Sequence, residues 1–375
     1  MTGGEGGAEL AKGRITPRCF DGAVDFCMRV TSERKKAARK FAPAGVVFAA
    51  LGVALFFYFV RRAGVAEIAD GMRRLGAGFI LVLLASGVRP VVRSLAWTLC
   101  VEPPHRLRLQ DAFAAFMTGD AVGNVVPFGM VIGEPAKAML VRERGVPLVA
   151  GLSALAVEYI FYSLSVAAMI FVGALALLVS YPLPKALRWT SVGALAGGGG
   201  IVLAALFVMR LQWRFISRLI DGMHRRGVWR RALTEERRGR VRAMEDIIYG
   251  FYARNRSRFV PILLLESCFH VAGVAEVYVT LYFISDTAPT LLTAFVLETV
   301  NRVINVVFKF VPLRVGVDEA GSGMLTGALG LGVGSGVTLA IVRKARVVVW
   351  TALGILFLVM RGLSVRRVVE ETEHV

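Results

Sequence analysis

Glu134, Glu158 and Glu319, with Lys137 and Arg343, are charges set inside long apolar runs. A charge at the centre of a membrane helix costs about 2.5 to 3.5 kcal/mol by insertion scales, so such residues are rarely idle. Pro127 stands seven residues before Glu134, and Pro312 seven before Glu319. Helix N-termini that follow such breaks offer free N–H groups, and a Glu there either caps the helix or faces a ligand. Two carboxylates so placed suit a cationic or zwitterionic group, or a proton relay. Lys137, one turn after Glu134, is a partner for a phosphate or for that Glu, or a lysine whose stem runs along apolar surface while its amine reaches water. Glu158 lies about eleven residues into its run, ~16 Å deep at 1.5 Å per residue. It either pairs with Arg343 or takes part in binding or proton handling.

Further polar groups repeat at helical spacing. Arg89 and Arg93 share a helix face around Pro90, suited to a lipid phosphate or to anchoring a helix end. Arg302, Asn305 and Lys309 form one stripe that leads to Pro312, either a binding stripe or a packed one. Glu266 and His270 stand four apart with Glu276 further on, but two adjacent ligands without a third make a poor metal site, and interhelical hydrogen bonding fits better. There is no GxSxG, P-loop or HExxH. Cys19, Cys27, Cys100 and Cys268 are scattered, without CxxC spacing. The expectation is a protein that is not an enzyme and uses no cofactor, metal or disulfide.

The elements that must position these charges are membrane helices. Of 375 residues 56% are hydrophobic, and the mean hydropathy is +0.62, more apolar surface than a soluble domain can hide. A span needs about 20 apolar residues. Six runs qualify: 43–60, 75–101, 148–179, 187–209, 259–284 and 336–360. Barrel strands would alternate with period two, and these runs do not. Two more stretches, 109–141 and 291–331, are broken by Pro, Gly and acids. They read as pairs of half-helices around hinges at Pro127 to Gly133 and at Pro312 to Gly316, backbone that survives at membrane depth only within protein or against water. Gly197 to Gly200 marks a close helix contact. The fold class is therefore all-α and polytopic: six full spans plus two re-entrant hairpins.

Charge orients the chain. Residues 210–258 hold fourteen arginines and five acids, whereas 285–290 has no Lys or Arg, so the first segment is cytoplasmic and the second outside. Both termini then lie in the cytoplasm, in a cell membrane. Arg61, Arg62, Arg73 and Arg74 fall outside, against the rule. Residues 1–40 are Gly-rich, then basic, and read as a disordered tail without a signal peptide. The membrane halves are 41–209 and 259–362, with a tail at 363–375. Trp213, Phe215, Ile216, Leu219 and Ile220 among the arginines make 210–258 an amphipathic segment for anionic lipid rather than nucleic acid. Self-association is open.

The two broken stretches align when the chain is slid by 185 positions. Val126, Pro127, Glu134, Met139, Leu140, Gly145, Gly151 and Val157 fall on Val311, Pro312, Glu319, Met324, Leu325, Gly330, Gly336 and Val342. In both copies a charge inside a span comes 24 residues after the Glu, as Glu158 or Arg343. Three full spans lie between the hinges, so one hairpin enters from each side and the repeat is inverted, an arrangement that recurs in transporters.

At these residues the chain resembles a known family. Arg93, Trp97, Leu99, Asn124, Pro127, Gly133, Glu134, Lys137 and Glu158 look like the first signature of the lysylphosphatidylglycerol synthase transmembrane, or flippase-like, family. Pro312, Gly316, Glu319 and Arg343 are similar to its second. The chain departs from the family at Leu313 and Arg314, where small glycines are usual, and at 128–132, which lacks the family's basic residue. The resemblance covers roughly 45 to 360 and implies translocation of a phospholipid or other polar lipid between leaflets, without the aminoacyl-transfer domain of full-length synthases. A cavity lined by both hinges would hold the headgroup on Glu134, Lys137, Glu158, Glu319, Arg343, Arg93 and Arg302. The alternative is an accessory membrane subunit that organises lipid or envelope synthesis enzymes through its arginine-rich loop.

Overall fold

The computed structural model describes residues 56–125, 129–211, 250–251, 254–308, 311 and 314–360, and among these there is no strand. Pro127, Pro312, Lys309, both tails, most of the 43–60 run and most of the 210–258 loop lie outside the described residues. Residues 56–63 are helical and pass through Gly64, at a φ of 86° that favours glycine, into α1 (Val65–Leu75). The chain continues as α2 (Gly78–Cys100), α3 (Leu109–Val125), α4 (Gly129–Arg142), α5 (Leu148–Ser180) and α6 (Lys185–Leu211). After the loop come α7 (Arg256–Ile284), α8 (Leu291–Val307), α9 (Val317–Ala328) and α10 (Val333–Met360).

Among the described residues three helices, α2, α5 and α7, are long and apolar enough to cross a membrane, and they coincide with the runs at 75–101, 148–179 and 259–284. The runs at 187–209 and 336–360 fall within α6 and α10. The latter has the length of a span, but Arg343, Lys344 and Arg346 sit in its middle.

Each broken stretch is two helices packed on one another, α3 on α4 and α8 on α9. Gly119 and Gly133 explain the first pair: a Cβ at either would lie 2.8 to 2.9 Å from the other's carbonyl oxygen, so the backbones touch. In the second pair Ile304 occupies the space a Cβ on Gly321 would need. Asp111 and Arg144 close the base of the first. Tyr181 and Thr293 meet near the base of the second, with their hydroxyls 3.1 Å apart.

Contacts between connections fix which loops share an end. Arg74 pairs with Asp286, which places α1 beside the 285–290 connection. The arginines that break the charge rule therefore lie on or beside an amphipathic helix at the end of the bundle, which buries Ile68, Gly71 and Leu75. At the other end Arg254 and Asn255 both donate to Glu102, and Arg258 donates to the carbonyls of Leu99 and Val101.

Packing follows the 185-residue offset. Helices α5 and α10 begin 185 positions apart, at Leu148 and Val333. α2 packs along α7, α3 packs on α10, and α8 packs on α5. Gly151 touches Ala138 and Val141, while Gly336 presses on Ser322 and Thr326. Of the Gly197 to Gly200 run, Gly198 and Gly199 are the close approach, against Ala167 and Phe171 of α5. Two large apolar cores result, beside a smaller cluster of Phe59, Ala63, Ile68 and Val337. One holds Trp97, Phe116, Leu155 and Ile262; the other holds Val82, Leu281, Leu297 and Leu339.

Gly336→Val puts new carbon into the Ser322 carbonyl and should cost about 1 to 3 kcal/mol, as overpacking does. Gly193→Ala, with open space around its Cβ, should leave thermal unfolding in detergent unchanged. The Arg254 guanidinium holds the Glu102 carboxyl below its ordinary range. That stabilisation is present above about pH 4.3, the unfolded value, and is lost as pH falls through the lower folded value. The gap in unfolding temperature between the protein and Glu102→Gln should therefore close on acidification.

Candidate functional site: a buried charge belt

Between the two apolar cores lies a layer of charge. Along α2 it falls between Val82 and Trp97, which belong to different cores, and along α7 between Ile262 and Val277. Its centre is Glu298 on α8, whose side chain is 0% exposed. Three helices bring arginines to it. Arg89 of α2 donates at 2.9 Å, Arg343 of α10 at 3.1 Å, and Arg302, one turn along α8, also pairs with it. Asn301 adds a fourth bond at 3.1 Å. Arg89 reaches as well to Glu276 of α7, which Arg346 holds at 2.7 Å. Gly273 makes this possible, since a Cβ there would overlap the Arg89–Glu298 pair.

A second group lies toward α5. Arg93 grips Glu158 with two bonds, at 2.7 and 2.8 Å. This fork geometry suits a guanidinium and a carboxylate, and the pair is shielded from water. Lys137, 1% exposed, reaches Asp120 and Glu134 at 2.8 and 2.9 Å. Aromatic rings join the two groups. The Lys137 amine sits 3.7 Å above Phe116, which also faces Arg93. Arg93 lies 4.3 Å over Tyr162, Tyr162 meets Phe269 edge-on, and Phe269 faces Arg302 and Arg89. Desolvated cation–ring contacts of this kind reach about 2 kcal/mol.

The residues singled out by sequence divide among these groups. Arg93, Glu158 and Lys137 come together through Phe116, and Arg302 meets Arg343 on Glu298. Glu158 and Arg343 take different partners from each other, because α5 presents its charge to α2 while α10 presents its own to α8. Glu319 accepts from the Gly316 N–H at 2.7 Å and from Lys344 at 2.6 Å. It is thus a helix cap with a cation attached, and Gly316 reaches it at a φ of 82°. Glu134 remains half exposed beside Lys137. Asn305 donates to the Asn301 carbonyl. Glu266 is buried with neither carboxyl oxygen hydrogen-bonded, and His270 meets Ser165 at 3.0 Å. Among the described residues no group of three His, Cys, Asp or Glu is placed to hold a metal.

Sequence reasoning missed Glu298 and Asp120. Glu298 had a signal: it stands four residues before Arg302 in an apolar run, one turn away on the same face.

The belt can hold a charged group away from water, with guanidinium forks as donors and aromatic faces as walls. The family model described as the lysylphosphatidylglycerol synthase TM region matches residues 44–363. Comparison with curated proteins and with solved structures finds no match.

Removing one member of a buried ion pair leaves the other uncompensated, at about 3 to 5 kcal/mol. Glu158→Leu should therefore lower the unfolding temperature sharply, and adding Arg93→Met should recover most of the loss. Additive losses would show that the pair does not form.

Proposed function

The chain belongs to the family of the lysylphosphatidylglycerol synthase TM region, and from that premise we propose that it moves a polar lipid between the two leaflets of a membrane. The observation that carries this reading is the charge belt. Arg89, Arg302 and Arg343 around Glu298, and Arg93 on Glu158, sit between two apolar cores, where charges are costly and mark the path of a polar group.

The architecture supports it. The packing of α3 on α10 and of α8 on α5 fits an inverted repeat whose broken helices would be re-entrant from the two sides. In this reading each half-helix pair rocks against a long helix of the other half. The headgroup exchanges its bonds with the belt while the acyl chains stay in the bilayer. Glu134 and Lys137 form the rim of the first hairpin, and Lys344 with Glu319 the corresponding part of the second.

Purified protein reconstituted in liposomes should accelerate leaflet exchange of at least one acyl-labelled lipid, and Glu134→Gln combined with Glu319→Gln should slow it about tenfold or more, the loss of roughly 1.4 kcal/mol. Exchange no faster than in protein-free liposomes, for neutral, anionic and cationic headgroups alike, would overturn the reading.

A further inference from the structure

The Glu298 end of the belt is not balanced in charge. Arg89, Arg302, Arg343 and Arg346 share two carboxylates, Glu276 and Glu298. Glu266 does not make up the difference: neither of its oxygens is hydrogen-bonded, and its electrostatic neighbours are Glu158 and Arg93. Asp318 and Glu319 are occupied by Lys344 and Arg314. Among the described residues two positive charges are thus in excess, where an uncompensated ion is costly.

The donors tell the same story. A guanidinium has five N–H groups, and among the described residues the buried Nε–H of Arg89, Arg302 and Arg346 has no acceptor. Arg89 and Arg302 are 9% and 6% exposed, and both donate to one oxygen of Glu298 while facing the same Phe269 ring. A structure that gathers donors and leaves them unfilled is arranged for an anion. Guanidinium forks match phosphate oxygens in geometry and charge.

We propose that these four arginines bind a phosphate group carrying two negative charges, and that the translocated lipid bears a phosphomonoester or diphosphate headgroup. This rests on the lipid-translocation reading and narrows it. A phosphodiester with one charge leaves one cation in excess, and a cationic headgroup meets repulsion. The phosphate displaces no protein carboxylate: it fills the open Nε–H positions and balances the charge of these four arginines and two carboxylates.

The test uses the full chain in phosphatidylcholine vesicles. Leaflet exchange of acyl-labelled phosphatidic acid is compared with that of acyl-labelled phosphatidylcholine, and uptake of inorganic phosphate is followed in the same vesicles. Phosphatidic acid should exchange at least tenfold faster, with no phosphate uptake above protein-free vesicles. Arg302→Gln should narrow the difference, whereas Arg254→Gln, outside the belt, should not. Should Arg302→Gln fail to fold, a second measurement on the unmodified protein replaces it: phosphatidic acid added in detergent should raise its unfolding temperature, and phosphatidylcholine should not. Equal exchange of the two lipids would overturn the headgroup class while leaving translocation intact. Phosphate uptake without lipid exchange would show a free ion as the ligand and overturn the lipid assignment. Absence of all exchange and uptake would overturn translocation itself, and this proposal with it.

Discussion

A carboxylate removed from water must be surrounded by donors, and Glu298 meets that demand by drawing arginines from three helices. Much of the interior is arranged around this requirement. α2 and α7 run side by side because Arg89 has to reach both Glu276 and Glu298, and Gly273 keeps the space between them clear. α10 approaches α8 closely enough for Arg343 to join. The rest of α10 is held by backbone-close contacts, with Gly336 on α9 and Gly354 on α3.

The two apolar cores that flank the charge set how strongly its groups depend on one another. They exclude water from either end, which strengthens every ion pair between them and raises the penalty for leaving any group unpaired. The aromatic side chains Phe116, Tyr162 and Phe269 extend the belt without adding charge, joining Lys137 to the arginines ring by ring. In the proposed function, exchange of partners along such a ladder would move a polar group in small steps, and the two short-helix pairs, each packed on a longer helix, would be the moving parts.

Much of this was legible in the sequence, for identifiable reasons. Helices α2, α5 and α7 are continuous apolar runs, so length and hydropathy locate them. The hairpins announce themselves because Pro127 and Pro312 interrupt otherwise apolar stretches and the same Glu follows each. Arg93, Glu158, Arg302 and Arg343 stood out as charges in apolar surroundings. Their pairing did not, because Arg89 and Glu298 are 209 residues apart and Arg343 and Glu298 are 45 apart. Only packing decides such contacts. Read alone, Glu134 and Glu319 suit a cationic or zwitterionic group, a proton relay or a helix cap; in the structure Lys137 and Lys344 pair with them, and the unfilled charged donors among the described residues belong to arginines.

The central claim is that the belt around Glu298 is the seat of a lipid phosphate. A structure of the full chain in nanodiscs containing phosphatidic acid tests it most directly. Density for a phosphate within hydrogen-bonding reach of Arg89, Arg302 and Arg346, with its acyl chains leading out between the hairpins, is the predicted result. A belt closed around its own carboxylates, with lipid headgroups confined to the two ends of the bundle, would contradict it.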